Sequence, residues 1–222
     1  MYFFGPDYEE RSTLRDGTPV VIRMVRPDDK ERLRRGFHRL SPEARYLRFF
    51  TPKTDLSEDE LRYLTEIDGV RHVALGAVRA GDDEDGLGVA RFIVLDDTPG
   101  TAEAAVAVLD EVQGQGLGTL LFLRLLAAAR ERGVSRVRCE LLGSNKAMTD
   151  LLKTLAPERT IQVEAGVVSI ELLLPEVAPA QPPAEPPREA ALYKIFTMIA
   201  RGALDWRDAV AKLALRGKSP ES

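Results

Sequence analysis

Cysteine occurs once in this chain of 222 residues, at Cys139, and histidine twice, at His38 and His72. A single cysteine excludes an internal disulfide. One cysteine with two histidines is too few for a zinc cage, so no metal ligand is assigned. Both facts fit a reducing cytoplasm. Long hydrophobic runs are also missing: no apolar stretch approaches a bilayer span, so neither a transmembrane helix nor a membrane partner is expected. The opening MYFFGPDYEE is aromatic and then acidic. It lacks the basic and apolar regions of a signal peptide, and nothing in it argues for export. Positive charge is not in excess either, with 31 basic against 35 acidic residues and a net charge of −4. That balance gives no nucleic-acid footprint. It is compatible with basic acceptors such as lysine-bearing proteins.

What is present is enough for one core and an appendage, with 44% hydrophobic and 30% charged residues. Thr18 to Val25 is rich in β-branched residues and follows an Asp16-Gly17 turn, which predicts a strand. Leu33, Phe37 and Leu40 recur at helical spacing after Pro27-Asp28-Asp29. Ser41-Pro42-Glu43 starts a second helix with a serine cap, and Ser57 to Glu60 starts a third as a capping box. Strands follow at 72–78 and 87–95, joined by an acidic turn from Gly81 to Gly86 that lacks the spacing of a calcium loop, and another strand at 102–109. A leucine-rich helix spans 119–132, a strand 134–142, a helix 145–155, and a hairpin 160–174 closes the unit. The order predicts an α/β layer fold with a mixed sheet over residues 1–174. Residues 175–187 hold six of the 14 prolines and read as a stiff linker. Residues 188–222 read as an amphipathic helical appendage, with Trp206 as an apolar anchor, suited to self-association or to folding back.

Between the strand at 102–109 and the leucine-rich helix lies Gln113-Gly114-Gln115-Gly116-Leu117-Gly118, followed by Thr119. A strand, a glycine-rich turn and a helix start bring unpaired N–H groups and the positive end of a helix dipole to one place, which suits a phosphate. A P-loop requires Lys-Ser/Thr after its last glycine, and here Thr119 follows directly. A dinucleotide fingerprint requires a third glycine or alanine where Thr119 stands. Both readings fail.

Gln113, Gly116 and Gly118 in the pattern Gln-x-x-Gly-x-Gly resemble the acyl-CoA loop of the GNAT superfamily of N-acyltransferases. Residues 101–108 look like that family's fourth strand, 137–142 like its fifth, and Asn145-Lys146-Ala147-Met148 like the start of the next helix. Upstream, Thr13 to Thr18 and Leu40 to Phe50 are similar to the GNAT domain of bacterial Pat-type protein lysine acetyltransferases. The likeness covers roughly residues 13 to 174 without large insertions. It implies a GNAT-type, largely antiparallel mixed sheet with a splayed central strand pair. It also implies an enzyme that transfers acetyl from acetyl-CoA to a primary amine, a protein lysine or, alternatively, a small amine. A non-catalytic acyl-CoA-binding or interaction module is the alternative outside enzymes.

Carried onto this chain, the resemblance assigns the cofactor's pantetheine arm to the backbone of Val106 and Val108. It assigns the pyrophosphate to the amides of Gln113, Gly114, Gln115, Gly116, Leu117, Gly118 and Thr119, and the thioester end to Asn145 with Met148 beside it. Glu103, ten residues before Gln113, falls where Pat-type enzymes carry a catalytic glutamate. A lysine ammonium with a pKa near ~10.4 must lose a proton before it attacks, and a strand-buried carboxylate with a raised pKa suits that task. Backbone N–H near Val106 would stabilise the developing oxyanion. The family's frequent acid, a tyrosine seven residues after the asparagine, is here Leu152. That leaves the proton for the leaving thiolate to water or another group. Arg45, Tyr46 and Arg48 border the expected acceptor cleft, with Tyr46, Phe49 and Phe50 reading as a packing stripe. Cys139 reads as a buried small hydrophobe, and His38 and His72 as surface or structural residues without acidic partners.

Overall fold

The structure, a computed structural model, describes residues 2–81, 85–155, 159–164 and 166–175. The appendage over 188–222 and nearly all of the proline-rich linker lie outside these residues.

Alternating apolar residues turn Pro19–Met24 into β2, with Val20, Ile22 and Met24 buried. It pairs with β1 (Glu9–Thr13) across a turn that Gly17 completes at φ +91°, where Asp16 accepts the Thr18 N–H at 2.9 Å. β1 is an edge strand that the sequence pattern did not reveal. Three helices follow: α1 (Lys30–Arg39), α2 (Pro42–Phe49) and α3 (Glu58–Thr65). The expected caps form: the Ser41 hydroxyl accepts the Ala44 N–H at 3.1 Å, and Ser57 with Glu60 makes a reciprocal capping box. The rest comprises β3 (His72–Arg79), β4 (Gly86–Val94), β5 (Thr101–Val108), α4 (Leu117–Glu131), β6 (Arg136–Leu142), α5 (Lys146–Leu155), β7 (Arg159–Glu164) and β8 (Val167–Leu173).

The eight strands form one sheet in the order β1-β2-β3-β4-β5-β6-β8-β7. Every neighbouring pair is antiparallel except β5 and β6, which α4 connects as a crossover. On one face, Phe92, Ala102 and Ala104 pack with Leu120, Leu121 and Leu125 of α4 in the main core. Each such leucine contributes roughly 1.5–3 kcal/mol by leaving water. One charge is buried there: Arg124 on α4, 1% exposed, donates to both carboxylate oxygens of Glu10 at 2.5 and 2.6 Å. Tyr8 donates to the same carboxylate at 2.6 Å, and burial followed by the Glu10 charge holds its hydroxyl protonated far above its ordinary pKa. A buried guanidinium is tolerable only with such a partner, so this contact fastens the N-terminal hairpin to α4.

On the other face lie α1, α2 and α3. Arg23 of β2 holds Asp29, just before α1, through two contacts at 2.7 and 2.8 Å, and Arg32 joins the same carboxylate. Burial opposes ionisation of Asp29, but these guanidinium bonds and the Arg26 N–H outweigh it and keep its pKa below the ordinary value.

Candidate active site

β5 pairs with β4 along its whole length, from Val94↔Ala102 to Gly88↔Val108. With β6 it pairs only at Thr101, Ala102 and Glu103. From Ala104 onward β5 has no partner on that side while β6 runs on to Leu142, so a wedge opens in the sheet at Glu103. An unpaired strand edge is where an extended ligand arm adds as another strand. Val106 and Val108, assigned to that arm, lie on this open stretch with their side chains packed against the core below.

The glycine loop closes the wide end. Gly114 and Gly116 adopt φ +73° and +90°, conformations that favour glycine, and Gly116 caps α4. The N–H groups of Gly114, Gln115, Gly116, Leu117, Gly118 and Thr119 donate to no backbone or side-chain acceptor among the described residues. Gln113 differs from them in that its N–H donates to the Asp110 carbonyl. Its side-chain amide reaches the Val108 carbonyl at 3.3 Å and Asp110 at 3.4 Å, bracing the turn. Two other segments hold the loop: Arg15 donates to the Gly114 and Gln115 carbonyls, and Ser41 at the start of α2 bonds to Asp110. The free donors and the unpaired strand edge fit a CoA ester, whose pyrophosphate is anionic and whose pantetheine is extended.

Glu103 stands at the vertex of the wedge. Its partners in register are Ile93 and Arg138, and it shares a face with Ala105 and Ala107, which line a cavity under α1, α2 and α3. Glu103 is exposed, not buried as the strand position suggested, because the strand pairing ends at this residue. α2 packs against both β5 and β6 and so bridges the mouth of the wedge. Its Arg48 feels two opposed effects: burial lowers its pKa, and the Glu103 carboxylate partly restores it. The cavity is mostly apolar, with Leu33, Phe37, Leu56 and Val89 in its walls, and Arg48 and Arg91 near the Glu103 end. Arg91 was not anticipated; its signal is an arginine inside the apolar strand Leu-Gly-Val-Ala-Arg-Phe-Ile.

Asn145 lies beyond the last paired residue of β6. Its side-chain oxygen accepts the Met148 N–H at 3.1 Å, so it caps α5, and Met148 packs on the core. Leu152 is wholly buried and offers no proton. Cys139 is buried as expected, its thiol pushed up to about 12 by burial and then by Glu103. Tyr46 is 46% exposed, against the packing role expected of it, whereas Phe49 joins Phe37, Leu56 and Leu61 in a second cluster. His38, expected to lack an acidic partner, lies 3.1 Å from Asp55, which the loop after α2 brings to it.

The sequence model of the Acetyltransferase (GNAT) family matches residues 34–156. The chain belongs to the GNAT family of acetyltransferases. It is 34% identical over 140 residues to an acetyltransferase of Pseudomonas aeruginosa, covering 63% of this chain and 75% of that protein. To the acetyltransferase Pat of Mycolicibacterium smegmatis it is 32% identical over 197 residues, 85% of this chain but 56% of Pat. It therefore spans little more than half of Pat's length. Among solved structures, the GNAT domain of S. lividans PAT matches with a TM-score of 0.67 and 31% identity, over 75% of this chain and 97% of that one. A Salmonella typhimurium acetyltransferase solved with acetyl-CoA matches with a TM-score of 0.58 and 21% identity, over 72% and 96%, a likeness in fold. As a GNAT member the chain is an acyltransferase, with acetyl-CoA as the acyl donor. No helix among its described residues is long and apolar enough to cross a membrane.

Proposed function

We propose that this GNAT acetyltransferase acetylates a primary amine, foremost the side chain of a protein lysine, with Glu103 as general base. The observation that carries the reading is the position of Glu103 at the last residue that β5 pairs with β6, on the same strand face as Ala105 and Ala107, which line the cavity beneath α1, α2 and α3. When bound, acetyl-CoA supplies an acetyl group activated as a thioester. The free amides of Gly114 to Thr119 hold its pyrophosphate, and the open edge around Val106 and Val108 takes its arm. Glu103, reachable by solvent and substrate, accepts the proton that the acceptor ammonium must lose. Asn145 keeps its place at the thioester end by fixing the start of α5, where Met148 lies beside it. With Leu152 buried, water returns a proton to the leaving thiolate. The likeness to Pat supports a protein acceptor, and the lone buried thiol is in keeping with a cytoplasmic setting.

A small amine is the second reading, for which the apolar cavity between the β4–β5 face and α1, α2 and α3 offers a seat. The test is an acceptor screen at saturating acetyl-CoA, with lysine-bearing proteins and peptides set against polyamines and amino acids, read as kcat/KM. Proteins or lysine peptides as the best acceptors support the first reading. Polyamines or amino acids outrunning them favour the second. Acetyl-CoA binding by calorimetry with no transfer to any amine points to a non-catalytic acyl-CoA-binding module.

A further inference from the structure

The cavity beside Glu103 is lined by four arginines, Arg23, Arg32, Arg48 and Arg91, and by one carboxylate, Asp29. Arg23 and Arg32 both bond to Asp29. Arg48 and Arg91 form no ion pair with any carboxylate among the described residues. Arg91 is 5% exposed and spends its two terminal nitrogens on uncharged acceptors, the His72 ring nitrogen at 3.1 Å and the Leu64 carbonyl at 3.2 Å. The Arg48 guanidinium sits over the Phe49 ring, 5.2 Å from its centroid. Two guanidiniums gathered in an apolar cavity, with the Glu103 carboxylate acting on Arg48 but bonded to neither, are costly to the fold. The cost is visible in Arg91, whose pKa is lowered to about 9 by burial and then by the charge of Arg48.

The register says where a compensating anion would stand. Arg91 faces Ala105 across β4 and β5, two residues along the strand from Glu103 and on the same face. Such diagonal pairs are separated by roughly 7–8 Å. A molecule with its amine at Glu103 therefore reaches Arg48 and Arg91 with a group about one side-chain length away.

We propose that Arg48 and Arg91 form a carboxylate subsite for the acceptor, so that this enzyme prefers amines carrying a carboxylate within about a side-chain length of the nitrogen. The inference rests on the reading above in one respect, that the acceptor amine is delivered to Glu103. The carboxylate has two sources: the acceptor's own α-carboxylate, or an acidic side chain beside the target lysine. The pair also disfavours the ammonium form of the amine, which helps its proton pass to Glu103, while the carboxylate restores attraction between ligand and cavity.

The test uses the full chain at saturating acetyl-CoA with two matched acceptor pairs. One pair is Nα-acetyl-lysine and its amide; the other is a capped lysine peptide with glutamate or glutamine beside the lysine. In at least one pair the carboxylate-bearing member should show a KM about tenfold lower, and the pair that responds identifies the source. Arg48→Gln should bring that ratio close to one while the KM for acetyl-CoA stays unchanged. Arg91→Gln should do the same, and if it fails to fold, Arg48→Gln and the milder Arg48→Lys carry the test. Calorimetric titration of the same acceptors reads the preference without turnover. Equal KM and equal binding within both pairs, or a preference that survives Arg48→Gln, would overturn the subsite. No transfer to any acceptor, with the tenfold binding preference intact, would instead sink the amine-transfer reading and leave the subsite standing.

Discussion

Beneath α4 the sheet presents Phe92, Ala102 and Ala104 to a helix whose leucines are buried, and its one buried charge, Arg124, is matched by Glu10. On the opposite face the same strands present Val89, Arg91, Ala105 and Ala107 to three short helices that leave a cavity, with two arginines outside any ion pair and Glu103 farther along the same face. A face that only stabilises can be filled and neutralised. The other must keep space, an unpaired strand edge and guanidiniums held outside ion pairs, and each of these costs stability that the α4 face supplies.

The contrast can be broken most strongly on the α4 side. Phe92→Ala opens a hole in the main core and should cost about 3–5 kcal/mol in denaturant unfolding. Next comes acid. Burial and then Arg91 depress His72 to about 4, below the ordinary value near 6.5, so in the folded protein it stays neutral where the unfolded chain takes up a proton. Its contribution is therefore complete above about pH 6.5 and is lost as pH falls toward 4. His72 is only partly buried, so the loss should be roughly 1–2 kcal/mol by thermal unfolding across that window, and His72→Gln should flatten it. The smallest effect on stability belongs to the cavity: Ala107→Leu fills existing space and should change unfolding by less than about 1 kcal/mol. It should nonetheless raise the KM of the acceptor several-fold while leaving that of acetyl-CoA alone, which sharpens the difference between the faces.

Much of this was legible in the chain because the signals are local. Ser41, Ser57 and Asn145 cap helices by bonding residues three positions away, and Gly114 and Gly116 sit in left-handed turns that other side chains resist. The strands emerged from alternation to within a residue or two at most ends. β1 escaped because Glu9–Thr13 is an edge strand with few buried positions and shows no apolar alternation. The Arg124–Glu10 pair joins residues 114 apart, a distance no pattern spans. Glu103 was placed by its register to the loop, but its exposure depends on where β6 stops pairing, and Arg91 gained its importance only when α2 brought Arg48 to it.

Glu103 is the proposed base, and its removal is the most direct measurement. Glu103→Gln keeps the size and the strand while removing the proton acceptor, and it should be assayed against wild type with one lysine acceptor over a range of pH. The predicted result is a fall in kcat of about 10²–10⁴-fold, the KM for acetyl-CoA unchanged, and part of the rate returning at high pH where the amine loses its proton unaided. Equal rates for the two proteins near neutral pH would contradict the account.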